Sequence, residues 1–251
     1  MKTAIVIPAR YESSRLPGKP LLRETGKYLI QHTYEQACQS AADFVVVATD
    51  NPEIERAVRG FGGDVVMTRP DHQNGTDRVG EVAQNLSADI IINLQGDEPL
   101  IDPDHLNKVG QLLSGSPGDA VATLAIPIEN RRDWEDPNCV KVVVDECGRA
   151  LYISRTPIPY PRDSSPFFGP SSPYLCHLGL YAYRRDFLLE LVKSPVSALE
   201  QIEKLEQLRV LSLGRSIRVV TVDEVYSGVD TPEDYARFVK TYQRLHASRA
   251  A

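Results

Sequence analysis

Four short aliphatic runs, Ala4-Ile5-Val6-Ile7, Phe44-Val45-Val46-Val47, Val65-Val66 and Ile90-Ile91-Ile92, constrain this chain more than any other feature. They are continuous rather than alternating, as in strands buried on both faces. Between them the apolar period becomes helical. Leu29, Ile30, Tyr34, Ala37 and Cys38 share one face, Ile54, Ala57, Val58 and Phe61 a second, and Val79, Val82, Ala83 and Leu86 a third. An order β-α-β-α-β-α-β requires a parallel sheet with right-handed crossovers.

After about residue 120 the rhythm changes. Strands are expected at 120–127, 140–144, 151–153 and 178–183, separated by Pro- and Gly-rich connections, so this part reads as antiparallel or mixed. Helices are expected at 186–192 and 198–211, a strand at 217–222, and a last helix from Pro232, capped by Thr231 with Asp234 in its first turn. Neither an internal repeat nor an interdomain linker is visible, so 1–251 reads as a single domain. Residues 160–173, crowded with Pro and Ser, are the best candidate for a mobile loop.

Composition narrows the function. The 251 residues, 42% of them hydrophobic, suffice for a sizeable core. A formal net charge of −6 argues against a nucleic-acid partner, because neutralising phosphates normally leaves a basic surface. No apolar run approaches the roughly 18 residues of a membrane span, and residues 3–8 are too short for a secretory core. A cytoplasmic location without membrane insertion is expected. Cys38, Cys139, Cys147 and Cys176 form no Cys-x-x-Cys pair, so neither a zinc site nor a disulfide framework is signalled.

In open α/β sheets ligands bind beyond the carboxyl ends of the parallel strands. The first strand runs there into Arg10, Arg15 and Lys19, set among Ser13, Ser14, Pro17 and Gly18. Guanidinium forks, an ammonium and loop N–H groups suit phosphate oxygens, although a solvated loop fits the same segment. Walker A spacing is absent, since Gly18-Lys19 is followed by Pro20, and so is G-x-G-x-x-G. The stretch 72–78, after the third strand, offers amides able to read a pyrimidine; it also reads as a turn with Asn74 or Thr76 capping a helix. Asp97 closes the fourth strand and Asp230 precedes the last helix. Either is a magnesium ligand or a plain turn residue.

Taken together, Ile7-Pro8-Ala9-Arg10, Ser14-Arg15-Leu16-Pro17-Gly18-Lys19-Pro20, Asn74-Gly75-Thr76, Gln95-Gly96-Asp97-Glu98-Pro99, Tyr152-Ile153-Ser154-Arg155, His177-Leu178-Gly179, Leu205-Glu206-Gln207-Leu208-Arg209 and Gly228-Val229-Asp230-Thr231-Pro232 resemble the 3-deoxy-manno-octulosonate (Kdo) cytidylyltransferase family over nearly the whole chain. The resemblance implies a Rossmann-like, GT-A-like nucleotidyltransferase fold of the α/β class, a mixed, mostly parallel sheet with helices on both faces. It implies that CTP and Kdo are joined with release of pyrophosphate, for lipopolysaccharide biosynthesis. A cytidylyltransferase for another sugar acid, 8-amino-Kdo or a sialic acid, is the alternative.

By the same resemblance, Arg10, Arg15, Lys19 and Asp97 are the catalytic group. Ala9, Arg10, Lys19, Gln73, Asn74, Gly75 and Arg78 bind CTP. Gln95, Arg155, His177, Tyr181, Glu206 and Gln207 bind the sugar acid, and Asp97 with Asp230 holds Mg²⁺. Taken alone, His177 reads as a satisfied core histidine and Glu206 as a solvated charge. A homodimer is implied, with a CTP-binding half over roughly 1–120 and a sugar-binding and dimerisation half over 121–251.

Overall fold

The first aliphatic run becomes β1 (Thr3–Ala9), in which Ala4, Ile5, Val6 and Ile7 are fully buried. Burying each of the larger ones contributes about 1.5–3 kcal/mol. The computed structural model describes every residue except Ser14, Ser164, Ser171, 224–227 and 248–251, and for 246 and 247 the backbone alone. The chain divides into two compact units, Lys2–Asn107 with Tyr226–Ala251, and Met1 with Lys108–Val225.

In the first unit β1 is followed by α1 (Leu29–Ala37), β2 (Phe44–Thr49), α2 (Pro52–Gly60), β3 (Val65–Met67), α3 (Gly75–Ala83) and β4 (Ile90–Asn93). The strands lie in the order β3-β2-β1-β4, every pair parallel, with Ile5 opposite Val45 on one side and Ile92 on the other. This is the alternation expected from the sequence. One expectation fails: β3 is not buried on both faces, since Val66 and Met67 are 39% and 42% exposed. β3 pairs with β2 alone and forms an edge, so its side chains lack the cover that β1 and β4 receive.

The helix α4 (Pro103–Ser114) is missing from the sequence reading, although Pro opens it and Leu106, Val109 and Leu113 are buried at helical spacing. After β5 (Val121–Pro127) comes α5 (Arg131–Glu135), also unforeseen, which Asn130 caps by accepting from Asp133 N–H at 3.0 Å. The second unit continues with β6 (Lys141–Val144), β7 (Ala150–Ser154), β8 (Leu175–Arg184), α6 (Arg185–Leu191), α7 (Ala198–Glu203), α8 (Gln207–Ser212) and β9 (Ile217–Thr221). β5 pairs antiparallel with β8 and parallel with β9, and β6 pairs antiparallel with β7 and β8. The expected mixed pairing is present.

The single helix expected over 198–211 is broken in two. Lys204 adopts the left-handed conformation (φ 54°) and ends α7, while the Arg155 guanidinium caps it by donating to the carbonyls of Glu203 at 2.8 Å and Lys204 at 3.5 Å. The described part of 160–173 forms neither helix nor strand; Ser164 and Ser171 lie outside the described residues. The chain ends on α9 (Pro232–Ala247), in the first unit. Thr231 Oγ1 accepts from Asp234 N–H at 3.2 Å, and Asp234 Oδ2 accepts from Thr231 N–H at 2.9 Å, the expected cap. Tyr235, Phe238 and Val239 pack against Leu29 and Val229. Among the described residues no helix is long and apolar enough to cross a membrane.

Candidate active site

In the first unit the crossovers run from β1 outward to β2 and β3, and the chain then returns to place β4 on the other side of β1. The direction reverses between β1 and β4, and beyond their carboxyl ends, past Ala9 and Asn93, a crevice must open. A cavity of about 310 Å³ lies there, lined by Ala9, Arg10, Arg15 and Lys19 from the exit of β1, Gly75 from α3, and Gln95, Gly96 and Asp97 from the exit of β4. Gly18, at φ +66°, makes the turn that presents Lys19, in a conformation costly for residues with a Cβ. Ser14, in the same loop, is outside the described residues.

The charged groups converge. Lys19 Nζ donates to Asp97 Oδ2 at 2.5 Å and to Asp230 Oδ1 at 3.2 Å, and Arg15 Nη2 lies 3.3 Å from Asp230 Oδ2. Two aspartates 133 positions apart in sequence thus share one ammonium. Arg10 Nη1 donates to the Gln73 carbonyl at 3.3 Å, whereas its Nη2 is buried and has no hydrogen-bond partner among the described residues. An orphaned, buried guanidinium N–H in a cationic cavity calls for an anionic oxygen.

The sequence reading missed Glu98. Burial, followed by the charges of Asp97 and Asp230, pushes its carboxyl up to about 8, with Lys19 opposing them. The signal was Asp97-Glu98, two adjacent acids closing a buried strand.

The remaining nucleotide candidates are placed differently. Asn74 Oδ1 caps α3 by accepting from Asp77 N–H at 2.8 Å, and Gln73 is exposed, its side-chain amide donating to the Asp71 carbonyl. Arg78, expected at the nucleotide pocket, is fully buried. Its guanidinium donates to Asp50 Oδ2 at 2.7 Å and to Thr68 Oγ1, tying α3 to the ends of β2 and β3.

The second unit gathers most of the sugar-side candidates. β5 and β8 slip register between Thr123 and Leu124, so that Tyr181 faces Thr123 while Leu178 faces Leu124. This bulge brings the rings of His177 and Tyr181 to 5.2 Å. Thr123 Oγ1 donates to the Leu180 carbonyl at 2.8 Å and meets His177 Nε2 at 3.1 Å. Since the hydroxyl proton goes to the carbonyl, Nε2 carries hydrogen and donates, which leaves Nδ1 as an acceptor. Burial lowers the His177 pKa to about 4, and burial, then the neighbouring Tyr183 and Glu206, raises that of Tyr181. Gln207 is buried at the start of α8, behind Glu206. Arg155 Nη1 donates to the Pro137 carbonyl at 2.9 Å, in addition to capping α7. Gln95 lines the cavity of the first unit.

The neutral His177 makes a testable contribution to stability. Its folded pKa lies below the ordinary 6.5, so the contribution is complete above pH 6.5 and is lost as pH falls towards 4, by roughly 3 kcal/mol. His177→Gln is expected to flatten that part of the stability profile in urea melts between pH 7 and 4.5. An unchanged slope would mean that His177 titrates alike in the folded and unfolded chain.

The cytidylyltransferase family pattern matches residues 4–217. The 3-deoxy-manno-octulosonate cytidylyltransferase of Syntrophotalea carbinolica is 52% identical over 242 residues, covering 94% of this chain and 97% of the relative. That of Escherichia coli is 51% identical over 232 residues, 92% of each. The solved structure of CMP:2-keto-3-deoxy-manno-octonic acid synthetase complexed with CTP superimposes with a TM-score of 0.91 at 48% identity, over 97% of this chain and 99% of that one. With its parallel β3-β2-β1-β4 core, its mixed β5–β9 region and these relatives, the chain belongs to the 3-deoxy-manno-octulosonate cytidylyltransferase family and has its Rossmann-like nucleotidyltransferase fold.

Proposed function

We propose that this enzyme transfers the cytidylyl group of CTP to 3-deoxy-manno-octulosonate, giving CMP-Kdo and pyrophosphate for lipopolysaccharide biosynthesis. The observation that carries the reading is the convergence of Arg10, Arg15, Lys19 and Asp97 at the reversal of strand order, with one guanidinium nitrogen of Arg10 buried and unpaired among the described residues. In this reading Arg10 and Lys19 bind the triphosphate and Arg15 reaches it from the rim. The three cations oppose charge that grows on pyrophosphate as it leaves, so they stabilise the transition state more than bound CTP. Ala9 and Gly75 leave room for the nucleotide, with Gln73 and Asn74 at its edge and Arg78 positioning α3 from behind.

Asp97 and Asp230 fit Mg²⁺: two hard carboxylates already converge on a single cationic group, Lys19. Bound there, the metal would neutralise phosphate charge and lower the pKa of the attacking hydroxyl. Glu98, holding its proton at neutral pH, adds no third negative charge to the pair.

On the sugar side, the Arg155 guanidinium donates to backbone carbonyls and, among the described residues, forms no ion pair, while its backbone N–H donates to the Glu203 carboxylate; the guanidinium charge suits the sugar carboxylate. Neutral His177 offers Nδ1 to a hydroxyl rather than a charge to the carboxylate. Glu206 and Gln207 suit ring hydroxyls, Tyr181 packs beside His177, and Gln95 donates an amide N–H. The reading assigns CTP to the first half of the chain and the sugar acid, with dimerisation, to the second. Both substrates are water-soluble anions, in keeping with a cytoplasmic homodimer.

Pyrophosphate release decides the proposal, measured with each nucleoside triphosphate against Kdo, 8-amino-Kdo and sialic acid, with and without Mg²⁺. Release with CTP, Kdo and Mg²⁺ alone is expected. Preference for another sugar acid would reassign the acceptor, and silence throughout would overturn the reading.

Gly96 tests the scaffold of the cavity. A Cβ there would sit 3.0 Å from the Pro8 carbonyl oxygen and 3.0 Å from Ile30 Cδ1. A backbone oxygen yields less readily than a side chain, so Gly96→Ala is expected to shift the loop that bears Asp97 by a few tenths of an ångström. Turnover is expected to fall by about 10-fold, less than the 10²-fold cost of misplacing a reacting group by a full ångström. Wild-type kinetics in a folded variant would show that the loop tolerates the shift.

A further inference from the structure

We propose that Tyr235 of α9 is a positioning residue for the phosphate-binding loop, its hydroxyl anchoring the segment that leads away from Lys19. The proposal rests on the cytidylyltransferase reading above and adds to it an element remote in sequence. Tyr235, Phe238, Val239 and Tyr242 recur at helical spacing on one face of α9. That face packs on Leu29 and Val229, and Leu16, Leu22 and Leu100 close the edge of the same cluster. Three of these apolar residues flank the charged ones: Leu16 follows Arg15, Val229 precedes Asp230, and Leu100 follows the Asp97-Glu98-Pro99 segment. The Val229 N–H also donates to the Asp97 carbonyl at 2.8 Å, joining the two acidic segments through their backbones. The apolar face of α9 is therefore a common support for the charged wall of the cavity.

Packing brings these segments together, and a directional contact sets where the loop stands. Tyr235 is 5% exposed, and its hydroxyl accepts from the Glu24 N–H at 2.9 Å. A phenol so buried needs a polar partner, and the one it takes belongs to the loop that begins at Lys19. From Glu24 the path back is short. The Leu22 N–H donates to the Lys19 carbonyl at 3.2 Å, and the Leu22 carbonyl accepts from the Leu29 N–H at 2.8 Å, which closes the loop at its base. A second tie sits beside the first. Thr25 Oγ1 meets His32 Nε2 at 2.7 Å, and the His32 ring stands edge-on to Phe238 and Tyr242, with centroids 5.0 and 4.6 Å apart. Thus α9 holds the loop at Glu24 directly and at Thr25 through His32.

The first unit supplies a matched control. The Tyr34 hydroxyl accepts from the Asp64 N–H at 3.0 Å, the same kind of bond, made to the segment that enters β3 rather than to the loop of Lys19. A purely structural role predicts equal consequences for the loss of either hydroxyl, and a positioning role separates them. Tyr235→Phe and Tyr34→Phe, each made in the full chain, are expected to lower the melting temperature by roughly 2–4 °C, as for one net hydrogen bond. Only Tyr235→Phe is expected to lower kcat for pyrophosphate release, by about 10-fold. A Lys19 displaced by a fraction of an ångström opposes the charge growing on the leaving group less well.

Hydrogen exchange at the Glu24 amide gives a readout independent of activity, and it should accelerate in Tyr235→Phe while staying unchanged in Tyr34→Phe. KM for the sugar acid should be the same in both variants as in the wild type. Unchanged Glu24 exchange, wild-type kcat in Tyr235→Phe, or equal losses of kcat in the two variants would overturn the role and leave the cytidylyltransferase reading in place. A wild type that releases no pyrophosphate from any substrate pair would overturn that reading, and the role with it. Should Tyr235→Phe fail to fold, Thr25→Val, which cuts the neighbouring tie from the loop side, decides by the same comparison of kcat against Tyr34→Phe.

Discussion

Asp97→Asn and Asp230→Asn are each expected to lower turnover by about 10²-fold or more, the scale of losing one preorganised electrostatic contact, while shifting the melting temperature by only a few degrees. The folding side is small because the Lys19–Asp97 pair is partly exposed, with side chains 12% and 27% accessible, and the Asp230 side chain is 50% accessible. Ion pairs of this kind contribute about 1 kcal/mol at most. The cap of α9 survives the second substitution, since Asp234 Oδ2 accepts from the Asp230 N–H, which Asn retains. The catalytic side is large because both carboxylates address one cation position, at which Asn has no charge to offer. The double variant should be little worse than either single one, as for groups acting as a unit. Near-normal turnover in either variant removes that residue from the site, and strictly additive losses would separate the two carboxylates.

The legibility of this chain followed the range of the interactions involved. β1, β2 and β4 could be read because a strand buried on both faces is apolar at every position, a local property. Their parallel pairing followed from alternation with helices, and with it the place of Arg10, Lys19 and Asp97 beyond strand carboxyl ends, whereas the order β3-β2-β1-β4 had to come from the structure. The break between α7 and α8 could not be read, since the helical period continues through Lys204 and its left-handed turn is stabilised by Arg155, far away in sequence. The same holds for protonation. That His177 is neutral depends on burial, and that Glu98 holds a proton depends on burial first and then on the charges of Asp97 and Asp230. Arg78 looked like a ligand-facing cation because its partners, Asp50 and Thr68, lie on other strand ends. Residue type located the chemistry, and tertiary contacts assigned the state of each group.

Removing one partner of the Glu200–Arg209 pair should produce the largest stability loss of any single substitution considered, about 3–5 kcal/mol for Glu200→Ala, the cost of an uncompensated buried charge. At about 2–4 °C per kcal/mol for a chain of this size, the melting temperature should fall by roughly 10 °C. Both side chains are nearly inaccessible, and the contact is bidentate at 2.8 and 2.6 Å. Glu200 also accepts from the Ser197 N–H in the capping box of α7, while Arg209 reaches the carbonyls of Leu191 at 3.3 Å and Ser194 at 3.4 Å. One ion pair thus fastens α7 and α8 to the end of α6. Replacing both partners with Met should recover much of the loss, because the penalty lies in the unpaired charge rather than in the volume. The turn that this clamp holds contains Glu206 and Gln207, so Arg209→Met at permissive temperature is expected to raise KM for the sugar acid and leave that for CTP unchanged. A drop in stability without any change in the sugar KM would show either that α7 and α8 hold their turn independently of the clamp or that Glu206 and Gln207 lie outside the acceptor site.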